Sequence, residues 1–319
     1  MSSAISASLR AIAREKRRFD WKHRLKTLNL PPFRLRTNGT VVRKFLTTED
    51  LRDVTEFTRS DIILPVHRPP SNPTKQKPMH YTYEDISRMI DHSLLKPTLT
   101  FEDFESGCRM AVVFKAGSVC IQPHYLKRCA QILQGSGVKA STVIGFPHGG
   151  HTTVIKVEEA KRALADGGEE LDMVCNISRV LSGDWDYVRQ DIKAVIDVTH
   201  AAGQKVKVIF ETCYLSDDQK IQLCEICSEF NADWVKTSTG YGTGGATMDD
   251  LRLMRKHAAA NVQVKAAGGV RDMDALLQCR EIGVTRIGAS ATQAMLDECR
   301  LRLNLEPIRF AGDLVADGY

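Results

Sequence analysis

Asp172, Lys236 and Lys265 each stand inside a short apolar run: Leu171-Asp172-Met173-Val174, Trp234-Val235-Lys236-Thr237-Ser238-Thr239-Gly240 and Val262-Gln263-Val264-Lys265-Ala266-Ala267-Gly268-Gly269. Runs of this kind read as strands of a parallel sheet, buried on both faces, where a charged side chain needs a partner or a purpose. A lysine attacks a carbonyl only as the neutral amine, and its ordinary pKa leaves little of that form near neutrality. Burial and a neighbouring cation both lower that pKa. Two lysines and one carboxylate at strand ends therefore point to Schiff-base chemistry. One lysine is the nucleophile, the other tunes it, and the carboxylate balances charge and moves protons. A single lysine would read more simply as an ion pair holding strand ends together; the set of three favours chemistry.

A second group of residues suits an anion. Gly268-Gly269 and Gly288-Ala289-Ser290 follow apolar runs, and the second precedes a helical stretch. Backbone N–H groups of such turns and the start of the following helix can hold a phosphate-sized group, with Ser238 and Ser290 as hydroxyl donors and Arg271 as a countercharge. The plainer alternative is that these glycines only make tight turns. His148 and His151 have a His-x-x-His spacing, but Gly149 and Gly150 break any helix that would align the two rings. A substrate-side loop, or a glycine turn with solvent-facing histidines, is favoured over a metal site. Cys224-Glu225-Ile226-Cys227 stands without a second Cys-x-x-Cys in a helical stretch, and reads as a packed pair of thiols.

The elements that would position these groups recur regularly. Strand candidates are Met89–Leu95, Ser118–Gln122, Ser141–Phe146, Leu171–Asn176, Val206–Thr212, Trp234–Thr239, Val262–Ala267 and Arg286–Ala289. Helical periodicity falls between them at Tyr125–Leu133, Thr153–Ala165, Trp185–Ala202, Asp217–Phe230, Met248–His257 and Met273–Glu281. Eight strand-then-helix units over residues 80–319 predict an α/β fold, a closed (β/α)8 TIM barrel, in preference to an open doubly wound sheet. In such a barrel, active sites form at the βα turns and phosphates bind after strands seven and eight.

The first 80 residues differ in chemistry. They hold 17 Lys and Arg against 7 Asp and Glu, a local +10 within a chain of +5. Residues 1–64 read as a basic N-terminal extension, with Ser2–Leu30 as an amphipathic helix, and residues 65–79 as a Pro-rich linker. The extension is either a solvated cytosolic arm or an organellar transit peptide, mitochondrial for example. It matches no nucleic-acid recognition motif, and no apolar run is long enough to cross a bilayer, so neither nucleic acid nor membrane is expected as a partner. Nine cysteines, all beyond residue 100, favour reduced thiols in a reducing compartment, with the cytoplasm as the expected location. Composition excludes collagen, coiled coil and a wholly disordered chain.

Six motifs in order resemble those of the deoxyribose-phosphate aldolases: Ile90-Asp91-His92-Ser93-Leu94-Leu95-Lys96-Pro97, Ser118-Val119-Cys120-Ile121, Gly145-Phe146-Pro147-His148-Gly149, Glu170-Leu171-Asp172-Met173-Val174, Val235-Lys236-Thr237-Ser238-Thr239-Gly240 and Lys265-Ala266-Ala267-Gly268-Gly269-Val270-Arg271. The likeness covers residues 84–296. It implies a class I aldolase on a TIM barrel that needs no metal or other cofactor, and that reversibly cleaves 2-deoxy-D-ribose 5-phosphate to acetaldehyde and D-glyceraldehyde 3-phosphate in deoxyribonucleotide breakdown. By this resemblance Lys236 forms the Schiff base, Lys265 lowers its pKa, and Asp172 takes the C3 hydroxyl proton through a water. Asp91, Ser93, Cys120 and Lys207 fall at substrate-contacting positions, and Glu211 at a charged position of strand five.

Phosphate is expected on Gly240, Gly268, Gly269, Gly288, Ser290, Ser238 and Arg271. Two departures at that end are Tyr241, where some members have a phosphate-contacting lysine, and Ala291, where many have Ser or Thr. The resemblance further implies a homo-oligomer, dimer or tetramer. Tyr319, at the end of a loose tail, could carry a proton to the site, although a frayed terminus is the plainer reading. The alternatives are another Schiff-base aldolase of a phosphorylated sugar, or a non-catalytic barrel used as an interaction module.

Overall fold

The structure, a computed structural model, describes Phe33–Thr37, Thr40–Lys44 and residues 81–310. The expected N-terminal helix, the Pro-rich linker and Tyr319 lie outside the described residues. The chain divides into two units, Met1–Gln76 and Lys77–Tyr319. In the first, β1 (Phe33–Thr37) pairs antiparallel with β2 (Thr40–Lys44), Phe33 opposite Lys44 and Thr37 opposite Thr40.

The second unit holds eight parallel strands: β3 (Ile90–Leu94), β4 (Ser118–Ile121), β5 (Lys139–Ile144), β6 (Glu170–Val174), β7 (Lys205–Ile209), β8 (Trp234–Lys236), β9 (Gln263–Ala267) and β10 (Arg286–Ala289). Each pairs with the next, and β10 pairs with β3, which closes the barrel. Closure leaves no exposed edge. Each strand is overlaid by a helix that turns an apolar stripe inward. In Trp185–Ala201, for example, Val188, Ile192, Val195 and Ile196 are buried at helical spacing.

Local chemistry sets where the strands stop. Glu211 adopts φ 58°, and Thr212–Tyr214 then form one 3-10 turn, so β7 ends at Ile209 rather than at the expected Thr212. β8 stops at Lys236, short of the expected Thr239. The two segments still run side by side, with the Phe210 N–H donating to the Lys236 carbonyl and the Thr212 N–H to the Thr237 carbonyl. Four helices lie outside the predicted set, the long Phe101–Val113 and Thr292–Arg302 and the short Tyr83–Ser87 and Ile177–Leu181.

The loops at the carboxyl ends of β8 and β9 touch backbone to backbone. Ala246 N–H donates to the Gly268 carbonyl at 2.8 Å. A Cβ on Gly245 would lie 2.5 Å from the Gly268 carbonyl carbon, and Gly268 itself sits at φ +72°. Only glycine at both positions lets these loops close together.

Candidate active site

Side chains alternate across a strand, so residues two apart on β6 share the interior face. Glu170 and Asp172 both point inward, and the strands beside them supply cations at the same depth. Register places Asp172 beside Lys207, Lys236 beside Lys265, and Lys265 beside Arg286. A barrel interior is usually filled by Val, Ile and Leu. Here four cations (Lys207, Lys236, Lys265, Arg286) meet three carboxylates (Asp91, Glu170, Asp172) in one network.

Asp172 is its centre. Its Oδ2 accepts from the Nζ of both Lys236 and Lys265 at 2.8 Å, and its Oδ1 accepts from Lys207 Nζ at 2.8 Å. Lys265 also donates to Asp91 Oδ2 at 2.5 Å, and Lys207 to Glu170 Oε2 at 2.6 Å. Beneath them Arg286 bridges Asp91 and Glu170. The side chains of Asp91, Asp172 and Lys207 have no solvent exposure. Buried charge at this density is tolerable only because nearly every donor meets a carboxylate.

The three interior lysines are not equivalent. Burial pushes the Lys236 pKa down, the Asp172 carboxylate opposes it, and the charge of Lys265 tips the balance, so Lys236 lies below the ordinary lysine value. Burial also pushes Lys265 down, but Asp172 and Asp91 together outweigh it and raise its pKa. Lys207 is raised in the same way by Asp172, Glu170 and Asp91. Burial favours protonation of Asp172, yet Lys207, Lys236 and Lys265 hold its carboxyl well below the usual range. With four cations against three anions, one amine can lose its proton and leave the network neutral. Lys236 is the one that the surroundings select.

A cavity of about 330 Å³ opens above the network at the carboxyl ends of the strands. Lys236 and Lys265 face it, together with Asp91, Ser93, Cys120, Gly240, Gly268, Gly269, Arg271, Gly288 and Ser290 from the expected set. Burial pushes the Cys120 thiol up in pKa. Asp172 lies just beneath, reaching the cavity through the two lysines.

Two residues of the expected substrate-binding set, Lys207 and Ser238, do not line the cavity. Three carboxylates surround the Lys207 Nζ and keep it below the site. Ser238 is fully buried beside Gly268, and its Oγ has no hydrogen-bond partner among the described residues. Arg286 and Glu170 were not foreseen. The signal was present, since Glu170 stands two residues before Asp172 and Arg286 two before Gly288, each on an inward face.

Ala291 lines the cavity as well, whereas the two histidines and the Cys-x-x-Cys pair fall outside its wall. His148 and His151 sit in the loop after β5, and His151 Nδ1 lies 3.4 Å from Glu159. Cys224 and Cys227 are buried on the helix Asp217–Glu229, where burial raises both thiols.

The sequence model of the DeoC/LacD family aldolases matches residues 86–292. The chain belongs to this family. A deoxyribose-phosphate aldolase of Rhodopirellula baltica is 65% identical over 228 residues, which span 72% of this chain and 95% of that one. One of Thermococcus gammatolerans is 47% identical over 218 residues, 68% of this chain and 97% of that one. Among solved structures, a tetrameric deoxyribose phosphate aldolase from Aeropyrum pernix superposes with a TM-score of 0.64 at 30% identity, covering 69% of this chain and 92% of that one. The matched span contains all eight strands of the barrel, and β1 and β2 precede it.

Proposed function

We propose that the chain is a class I deoxyribose-phosphate aldolase, with Lys236 as its Schiff-base lysine. The observation that carries this reading is the depressed pKa of Lys236, a cavity-facing amine 2.8 Å from Asp172 and paired in register with Lys265. The relatives' shared activity supports it.

In the cleavage direction the neutral Lys236 amine attacks C1 of the open-chain 2-deoxyribose 5-phosphate, and loss of water leaves an iminium. Asp172, through a water, takes the proton of the C3 hydroxyl as the C2–C3 bond breaks. The bond electrons pass into the iminium to form an enamine, and glyceraldehyde 3-phosphate departs. The enamine is protonated at C2, and hydrolysis returns acetaldehyde and the free amine. Lys265, with its raised pKa, stays charged throughout. It keeps Lys236 depressed and holds Asp172 ionised.

The phosphate end fits the rim formed by Gly240, Gly268, Gly269, Gly288 and Ser290, with Arg271 beside it. Asp91, Ser93 and Cys120 face the sugar end. The tetrameric relative supports assembly as a homo-oligomer, and nine free thiols suit a reducing compartment such as the cytoplasm. The division of the chain after Gln76 supports reading residues 1–79 as an extension and linker outside the catalytic unit.

The test is the rate of cleavage of 2-deoxyribose 5-phosphate against unphosphorylated deoxyribose. Two charge-assisted hydrogen bonds at about 1.5 kcal/mol each predict a kcat/KM about 100-fold higher for the phosphorylated sugar. Equal values would remove the anion-site assignment.

A further inference from the structure

Glu211 is a buried carboxylate that the reaction above does not use. It is 2% exposed and follows the end of β7. Its backbone at φ 58° and ψ 63° is left-handed, a conformation that strains a residue with a Cβ and that clusters at functional sites. The carboxyl also lies within the field of Lys236. An anion there favours the ammonium form of Lys236, against the chemistry. Burial pushes the Glu211 pKa up. A strained, desolvated acid that opposes its neighbour needs another reason to be present.

Its contacts supply one. The Thr239 N–H donates to Oε1 at 3.2 Å and to Oε2 at 3.3 Å, and the Thr239 hydroxyl donates to Oε2. Thr239 Oγ1 in turn accepts from the Tyr241 N–H at 3.0 Å. The Tyr241 hydroxyl donates to the Leu95 carbonyl at 2.8 Å, and its ring stands edge-on to Phe146 with centroids 5.4 Å apart. A continuous set of bonds thus runs from the end of β7, through the loop after β8, to the end of β3. Within it Thr239, Gly240 and Leu95 line the cavity.

We propose that Glu211 is a positioning residue: it holds the Thr239–Tyr241 segment as a strap along the cavity mouth, and through Gly240 sets the affinity for the phosphate end of the substrate. This rests on the reaction and the anion rim assigned above. The carboxylate acts as an acceptor of two fixed donors and takes no proton from the substrate. Glutamine preserves that role, since its Oε1 can accept the Thr239 N–H. Its Nε2 can donate to the second lone pair of Thr239 Oγ1.

Full-length Glu211→Gly and Glu211→Gln test it. Glycine is at ease at positive φ, so the first variant deletes the carboxylate while relaxing the backbone, and folding is retained. We expect Glu211→Gly to raise KM for 2-deoxyribose 5-phosphate about tenfold with kcat within about threefold, because the loss is in binding. KM for unphosphorylated deoxyribose should not move, and Glu211→Gln should stay within about threefold of the unaltered chain in both constants.

An unchanged KM in Glu211→Gly, or an equal rise for both sugars, would overturn the proposal. So would a Glu211→Gln variant as damaged as Glu211→Gly, with a limb missing from its pH profile, because that marks an acid–base group. Borohydride trapping of acetaldehyde on Lys236 should persist in Glu211→Gly, and its loss there alone also counts against the strap. Its absence from the unaltered chain would instead overturn the reaction assigned above.

Discussion

Lys236 and Lys265 are partners across adjacent strands and share one oxygen of Asp172, yet their surroundings move them in opposite directions. Lys265 has a second carboxylate, Asp91, within 2.5 Å; Lys236 has Asp172 alone. Replacing Lys265 by Met removes the cation that tips Lys236 downward and frees Asp172 to hold the Lys236 ammonium more tightly. Both changes raise the Lys236 pKa. Activity requires the deprotonated amine, so the acid limb of the kcat/KM profile marks that pKa. In Lys265→Met the limb should move to higher pH, and turnover near neutrality should fall at least about tenfold, one pKa unit being a factor of ten in neutral amine. A limb at the same or lower pH would show that Lys265 does not tune Lys236.

At the scale of elements, the helices that carry the loops are fixed by more than apolar packing. Lys156 on the helix Thr153–Ala165 and Asp191 on Trp185–Ala201 form an ion pair with no solvent exposure on either side. Lys156 Nζ also donates to the Val174 carbonyl at 2.9 Å, at the end of the strand that carries Asp172. Lys156→Met would leave Asp191 buried with only the Thr153 hydroxyl, and should cost about 3–5 kcal/mol in denaturant unfolding. Lys156→Met combined with Asp191→Leu removes the stranded charge and should recover more than half of that loss. A double variant no better than the single one would mean that the Val174 contact, rather than the charge pair, carries the stability.

This pair also marks what was legible. Asp172, Lys236 and Lys265 stood out because each interrupts an apolar strand, and the barrel followed from eight such strands. Lys156 and Asp191 lie on amphipathic helices, where a charge reads as solvent-facing until the neighbouring helix is known. Strand ends at β7 and β8 were placed too late because backbone pairing continues past the sheet to Thr212 and Thr237. The helix Phe101–Val113 escaped notice for a related reason. Gly107 interrupts its apolar stripe, and is needed there because a Cβ would come within 2.7 Å of Leu94 Cδ2. Lys207 was put in the site by the family resemblance, which matches a position along a strand and does not tell how deep its side chain lies.

For the whole molecule, net charge is a poor guide to the site. Residues 81–319 carry −5 although the substrate is an anion. On the proposed reading, recognition falls to rim amides and a few cations, while the +10 of residues 1–80 lies outside the family match. Reactivity is similarly local. The chain has 19 lysines. The account requires that one, Lys236, be nucleophilic near neutrality. The most direct measurement is therefore reduction with borohydride in the presence of acetaldehyde, followed by peptide mapping of the full-length chain. A single two-carbon adduct on Lys236 is the predicted result. No adduct, or an adduct confined to Lys265, would contradict it.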